Sequence, residues 1–376
     1  MGRFVLALHD AGGTVPPMIS IAEALASRGN EVTVLGQPCV ERRARAVGCD
    51  FVAFAIGDYA TDRPIEDQID EVVPMMTGRG PGDELLRTIE ATSADAVVVD
   101  ANLAGVAAAA ETAGCGSAVL LHSLYETYVD TWFGELWPFL EPLINETRAA
   151  FGLPGRSSWT EIFEAHDRTY AVVPEVFDAP TSIAPPPNLR HPGFLVPTAA
   201  ASDAFAAGDG EPLVLVSLST TDMGQGPLLQ TILDGLDGEA VRGVVTTGGQ
   251  RFGPVLRVPA NVEVHDHLPH PAVLPHAAAV ITHAGMGTIA AALSHGVPIV
   301  STPIARDQPL NASRVEAVGA GLTVPAATAT PDEIRAALDR VLADRGYRAA
   351  AQLVADASAA AGGAPGVAAD LEHLIR

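Results

Sequence analysis

The chain contains no lysine: all 22 of its basic residues are arginine, set against 45 Asp and Glu. That absence excludes a Schiff-base or P-loop lysine mechanism. Any phosphate held by this protein must rest largely on backbone amides, hydroxyls and histidine. A net charge of −23 leaves no basic face for a nucleic acid or an anionic membrane. Cysteine is scarce. Cys39, Cys49 and Cys115 lack metal-ligand spacing and read as thiols of a reducing cytoplasm, although Cys39 and Cys49 could in principle pair. Long apolar runs are missing too, with none of the eighteen or so residues a bilayer span needs, so no integral membrane segment is expected. The apolar start Phe4-Val5-Leu6-Ala7-Leu8 is interrupted by His9-Asp10, too early for a signal peptide, and reads as a first buried strand.

What is present is a globular composition, 48% hydrophobic and 18% charged, in a chain of 376 residues, enough for two domains with separate cores. Apolar strand-like runs at 3–8, 31–35, 96–99 and 117–121 alternate with helical patterns at 17–28 and 103–113. Fully apolar strands alternating with helices predict a parallel sheet covered on both faces. A second series begins at 213–217 and continues through 241–247, 262–265 and 277–281. Between the two, residues 181–197, with Pro185-Pro186-Pro187, read as a linker. The segment 57–83 is polar, rich in proline and glycine, and reads as a long functional loop, with Met75 and Met76 expected at the acceptor site. Residues 125–139 are the one aromatic-dense patch. They form either a packed core stripe or a wall for a flat apolar ligand made of Tyr128, Trp132, Phe133 and Trp137.

The most telling stretch is Thr282-His283-Ala284-Gly285-Met286-Gly287-Thr288, a small-residue turn between an apolar strand and a helical pattern. Unpaired amides and the helix dipole converge at such a turn and make an anion site. Gly285 and Gly287 allow a phosphate to approach the backbone, and His283 and Thr288 add side-chain donors. About twenty residues on, Asp307-Gln308 places a carboxylate beside an amide, a pair suited to the vicinal hydroxyls of a sugar.

This stretch, extended through Gln308-Pro309-Leu310-Asn311-Ala312 to Gly319-Ala320-Gly321, resembles the nucleotide-sugar glycosyltransferases of the GT-B fold. The likeness is to bacterial antibiotic and natural-product members, related to the macrolide and plant UDP-sugar transferases. The resemblance implies an α/β protein with two Rossmann-like, doubly wound domains facing across a cleft: an acceptor domain at 1–180, a donor domain at 198–346, and terminal helices at 347–376 that cross back to the first. It implies that the turn around Gly285, Met286 and Gly287 grips the donor diphosphate, with Ala284 where the family has a first glycine. Ser219 and Thr220 match the family's second phosphate segment. His267, with Leu268 beside it, takes the place of the aromatic that stacks on the nucleobase, and Asp307 and Gln308 hold the sugar. The family is generally metal-independent, so no metal is expected despite histidines at 265, 267, 270 and 276.

An inverting transfer needs a base for the acceptor hydroxyl. The family carries a His for this on the loop after the first strand, oriented by an Asp; Asp100 fits the Asp, but Thr14 stands at the His position. A threonine hydroxyl is no base near neutral pH. Three readings stay open: His9 or Asp10 acts from a shifted place, the acceptor is acidic enough to need little help, or the protein binds without transferring. The expectation is an inverting, metal-independent, cytoplasmic glycosyltransferase that needs no cofactor. It would move a deoxysugar from a TDP- or UDP-sugar to a hydrophobic natural-product aglycone. A nucleotide-sugar 2-epimerase and a non-catalytic helper protein are the alternatives, and a homodimer is left open.

Overall fold

In the computed structural model, the chain divides into two compact units, residues 1–195 with 361–376, and residues 196–360. The structure describes residues 1–11, 13–59, 68–196, 205, 210–220, 223–250 and 256–375. Gly12 of the Thr14 turn, Thr221 of the second phosphate segment and Pro197 of the expected linker lie outside the described residues.

The first unit is built on a sheet of seven strands, β1 (Arg3–Ala7), β2 (Glu31–Gly36), β3 (Asp50–Ala53), β4 (Ala96–Asp100), β5 (Gly116–Leu121), β6 (Arg168–Ala171) and β7 (Leu189–Arg190). Their order is β3-β2-β1-β4-β5-β6-β7, every pair parallel. The central strands are largely apolar because helices cover both faces. Phe4, Leu6, Val98 and Leu120 are buried in the same core as Met18, Ile21 and Leu25 of the helix Val15–Ser27. Sequence order reverses between β1 and β4, and in open sheets of this kind ligands bind beyond the strand ends at that switch point.

The second unit repeats the plan with β8 (Leu213–Ser217), β9 (Arg242–Thr246), β10 (Val262–His265), β11 (Ala277–Thr282), β12 (Ile299–Ser301) and β13 (Gly321–Thr323). The order β10-β9-β8-β11-β12-β13, again all parallel, puts the switch point between β8 and β11. Its core centres on Val214, Val216, Ile232, Ile281 and Leu338.

Three expectations need correction. The segment 57–83 is not one loop: Ile69–Thr77 is helical and runs into the helix Arg79–Thr92, and residues 60–67 lie outside the described part. Pro74 and the Gly78-Arg79-Gly80-Pro81 stretch disguise these helices, which bury Met75 and Met76. The proline-rich stretch at 181–197 is mostly part of the first unit, since β7 lies within it and pairs with β6. Residues 347–376 do not move together either. The helix Arg345–Ala360 belongs to the second unit, where Arg348 donates to the carbonyls of Ala277 and Gly296, whereas Gly363–Glu372 belongs to the first. That last helix contributes Val367, Ala368, Leu371 and the following Leu374 to the first core. The Arg28–Glu372 ion pair and the Arg168–Asp370 pair hold its polar side.

Candidate functional site

The second unit's switch point is framed by the turn after β8 and the turn after β11. β11 hands the chain to Gly285, the N-cap of the helix Met286–Ser294, and no side chain caps that helix. Its first amides therefore lack intrahelical acceptors and point, with the positive end of the dipole, out of the turn. His283 lies directly against Gly285: a Cβ there would sit 2.5 Å from the imidazole Nε2, so a side chain at this position would force the ring to move. A Cβ at Gly287 would meet nothing within 4 Å, and the backbone there stands open to a close-approaching group. Ala284 occupies the left-handed region at φ 66°, a conformation that suits glycine and strains alanine. Burial lowers the His283 pKa to about 4, so the ring is neutral around pH 7 and offers hydrogen bonds rather than charge. Thr288, in the first turn of the helix, is buried.

On the β8 side, Ser219 is buried and its carbonyl accepts from Gln225, while Thr220 is exposed with its carbonyl held by Gln250. Thr220 packs against Gly248, where an added Cβ would come within 3.0 Å of its methyl group. His270 reaches back to the Ser217 hydroxyl at 3.1 Å. His267 is exposed beyond β10 and lies against Gly249, and Leu268, next to it, is half-buried.

Asp307 and Gln308 divide their work differently from the expected shared reading of a sugar. The Gln308 side chain is buried; its Oε1 accepts from the amides of Ile304 and Ala305 at 2.9 and 3.1 Å, and its Nε2 donates to Met223 Sδ. The carboxamide thus braces its own loop, with one amide hydrogen left over for a ligand. Asp307 is half-buried and is held by Asn311, whose Nδ2 donates to Asp307 Oδ2 at 2.9 Å and to the Ala284 carbonyl at 3.1 Å. Asn311 therefore ties the turn at Ala284 to the Asp307 loop. Sequence reading passed it by, because its role exists only once two turns 27 residues apart meet. Arg306, with φ 61°, marks a second strained point beside Asp307.

In the first unit, the residues beyond β1, β4 and β5 form a buried polar network. Thr14 is buried, with its hydroxyl donating to the His9 carbonyl and accepting from the Ala11 amide, so it closes the turn. His9 is buried with both ring nitrogens engaged: Nδ1 with the Tyr59 hydroxyl at 3.0 Å, Nε2 with Asn102 Nδ2 at 3.4 Å. Burial, and to a lesser degree the neighbouring His122, lowers its pKa to about 3. Asp10 turns elsewhere, its carboxylate 3.7 Å from both Cys39 Sγ and the Arg43 guanidinium. Asp100 is fully buried at the end of β4; Oδ1 accepts the Asn102 amide and Oδ2 has no hydrogen-bond partner among the described residues. Burial raises its pKa to about 7, outweighing that one hydrogen bond.

The aromatic stretch supplies both packing and polarity. Tyr128 and Phe133 are buried and stacked 4.9 Å apart, with Trp159 and Phe163 edge-on to Tyr128, so these two rings belong to a core cluster. Trp132 and Trp137, the other two residues of the expected wall, are half-buried. Tyr128 also donates its hydroxyl to Asn102 Oδ1 at 3.1 Å and contacts His122 Nδ1 at 3.2 Å. Tyr59, Asn102 and His122 are absent from the sequence-derived site. His122 directly follows β5, and the apolar run that marks this strand stops one residue before it.

Comparison with known proteins agrees with this geometry. Residues 229–374 match the family described as erythromycin biosynthesis protein CIII-like, C-terminal domain. The 3-alpha-mycarosylerythronolide B desosaminyl transferase of Saccharopolyspora erythraea is 36% identical over 113 residues, 30% of this chain and only 27% of that protein. The demethyllactenocin mycarosyltransferase of Streptomyces fradiae is 26% identical over 412 aligned positions, covering 100% of this chain and 87% of its own. Among solved structures, the kitacinnamycin glycotransferase superposes with a TM-score of 0.82 at 23% identity, covering 100% of this chain and 99% of its own. The glycosyltransferase VinC, solved in complex with dTDP, gives 0.77 at 20% identity, with 99% of each chain covered. The chain thus shares the GT-B fold of these glycosyltransferases along its whole length, and residues 229–374 match the erythromycin biosynthesis protein CIII-like family in sequence.

Proposed function

We propose that the protein is an inverting, metal-independent transferase acting in the cytoplasm. It moves a deoxysugar from a TDP- or UDP-sugar to a hydrophobic natural-product aglycone. The observation that carries this reading is the uncapped helix at Gly285-Met286-Gly287, with His283 packed on it and open backbone at Gly287. Amides and a helix dipole supply the positive partial charge a leaving diphosphate needs, a task for which this chain has no lysine. The half-buried Trp132 and Trp137 suit an apolar acceptor, and the dTDP bound by VinC favours a thymidine carrier.

In a single displacement the acceptor oxygen attacks the anomeric carbon as the bond to the diphosphate breaks, which inverts the centre. The test incubates the protein with TDP- and UDP-sugars and a panel of aglycones, with and without EDTA, and reads the anomeric configuration by NMR. An inverted glycoside formed equally in EDTA is the expected result. Epimerised donor, or nucleotide bound without turnover across the panel, would replace this reading by the epimerase or the helper.

A further inference from the structure

We propose that Asn311 is a positioning residue of the donor site. Its one side-chain NH2 group holds the turn at Ala284 and the Asp307 carboxylate at a set spacing, and with them the sugar of the donor relative to its diphosphate. The inference rests on the donor reading above, with diphosphate at Gly285-Met286-Gly287 and sugar at Asp307. Every residue in it lies in the second unit.

Hydrogen-bond logic fixes the carboxamide. Asn311 is fully buried, and its Nδ2 donates to the Ala284 carbonyl at 3.1 Å and to Asp307 Oδ2 at 2.9 Å. Both partners are acceptors, so the NH2 end must face them, and both of its hydrogens are in use. The other end, Oδ1, has no hydrogen-bond partner among the described residues. An unpaired buried acceptor destabilises a fold, and an aliphatic side chain here would avoid that penalty. What asparagine brings instead is a pair of donors at the point where two loops meet.

Those two loops are the strained ones. Among the described residues, three non-glycine residues have positive φ: Ser93, Ala284 and Arg306. Ser93 is the C-cap of the helix Arg79–Thr92, where left-handed backbone is ordinary. Ala284, at φ 66°, precedes Gly285, and its carbonyl is the one that Asn311 holds. Arg306, at φ 61°, precedes Asp307. Left-handed backbone at a residue with a Cβ persists only where surrounding contacts impose it, and Asn311 reaches both places. Asp307 is the N-cap of the helix Gln308–Ala317, yet its side chain makes no capping bond. An aspartate there ordinarily accepts from the helix's own amides; this carboxylate meets the Asn311 side chain one turn along.

This arrangement separates two ligands that share a nucleotide. A bare nucleoside diphosphate meets only the turn and feels the Ala284 end of the clamp. A nucleotide sugar meets the turn and Asp307 together, so it feels both ends and the spacing between them. Loops already held in the bound arrangement lose less freedom when the ligand arrives, which raises affinity. Asn311, being fully buried, reaches either ligand through these partners.

The test titrates the full-length protein by calorimetry and needs no acceptor. TDP, UDP, TDP-glucose, TDP-rhamnose and UDP-glucose are screened, and the sugar nucleotide bound most tightly is carried forward with its bare diphosphate. Asn311→Ala should weaken the sugar nucleotide about tenfold, the value of a hydrogen bond to a charged group, and the bare diphosphate only about threefold. In an Asp307→Ala background the same change should leave the ratio of the two affinities as it is, because the two side chains act as one unit. Ala284→Gly takes up the left-handed turn unaided and should recover most of the bare-diphosphate loss. Asn311→Ser, which keeps one donor hydrogen, gives the same comparison if the alanine variant does not fold. Equal losses for both ligands in a folded variant, or a ratio within about twofold of wild type, overturn the assignment and leave Asn311 as support for the fold alone. So does a ratio that still shifts when Asp307 is already alanine, or a bare-diphosphate loss that Ala284→Gly leaves untouched. A wild type that binds none of the five, or an Asp307→Ala variant that loses both ligands equally, would instead overturn the donor reading on which the proposal stands.

Discussion

Asp100 offers a measurement that needs no substrate. Its folded pKa is raised to about 7 from an ordinary 3.8, with burial the largest cause. A carboxyl raised in this way leaves stability intact below its unfolded value. The stability is then lost as pH rises toward the folded value, because the unfolded chain ionises first. The shift of about three units corresponds to a loss of roughly 4 kcal/mol between about pH 4 and pH 7, at ~1.4 kcal/mol per pH unit. The Oδ2 without a partner fits this, since no donor among the described residues is in place to hold the charge. Asp100→Asn removes the titration and keeps the shape. Its new amide hydrogens add a cost that does not vary with pH, so the slope is the test. Buried histidines complicate the acid side of the wild-type curve: His9 is lowered to about 3, and His166 and His283 to about 4, by burial. These stabilise above pH 6.5 and lose that stability as pH falls, the opposite sign to Asp100. Both proteins carry them, so they cancel in the difference. All three tryptophans, Trp132, Trp137 and Trp159, lie in the first unit, and their fluorescence in urea titrations reports that unit alone. Between pH 5 and 7, Asp100→Asn should gain on the wild type by about 3 kcal/mol and hold that advantage above pH 7. A difference that stays flat from pH 5 to 8, or runs the other way, refutes the argument.

Three further outcomes follow from the second unit. His283→Ala and Thr288→Ala should each weaken TDP binding about tenfold or more, the value of one hydrogen bond to a charged group; calorimetry showing unchanged affinity in both would remove the diphosphate from this turn. Asp307→Ala should depress turnover strongly while TDP alone binds nearly as before, and equal losses for TDP and for the full donor would place the carboxylate at the nucleotide instead. Ala284→Gly relieves left-handed backbone worth about 1–2 kcal/mol but sacrifices a buried methyl worth about 0.8 kcal/mol and frees the unfolded chain by about 0.4–1 kcal/mol. Thermal unfolding should therefore shift by only a few degrees, and a large loss would mean the strain is not where φ puts it.

The parallel sheets were legible because their central strands are mostly apolar, with polar residues mainly at the strand ends. A run such as Ala96-Val97-Val98-Val99 is too short for a helix and too apolar for a strand with one wet face. The strand-to-helix turn at Gly285 was legible because its glycines fall between an apolar strand and a helical pattern. Ile69–Thr77 was hidden by Pro74, a residue that argues against a helix wherever local pattern is the only guide. Gln308 holds a second role that the sequence did not show: its own oxygen turns back to the amides of Ile304 and Ala305. Asn311, Asn102 and His122 could not be read at all. Each acts through partners brought close only by the sheet, as His9 and Asn102 are across 93 positions of chain.

The helix Gly363–Glu372 has a consequence for how the molecule is made. Because Val367, Ala368, Leu371 and Leu374 fill the first unit's core, a ribosome that has finished residues 1–195 has not yet supplied everything that unit needs. The nascent first unit must wait, with an apolar groove uncovered along the helix Val15–Ser27, while the whole second unit is translated. At about 5–20 residues per second, that wait lasts on the order of ten seconds or more. During that interval the groove is a natural target for chaperones or for misassociation with another chain. A fragment ending near residue 195 should therefore aggregate, and the peptide 361–376 supplied in trans should rescue it.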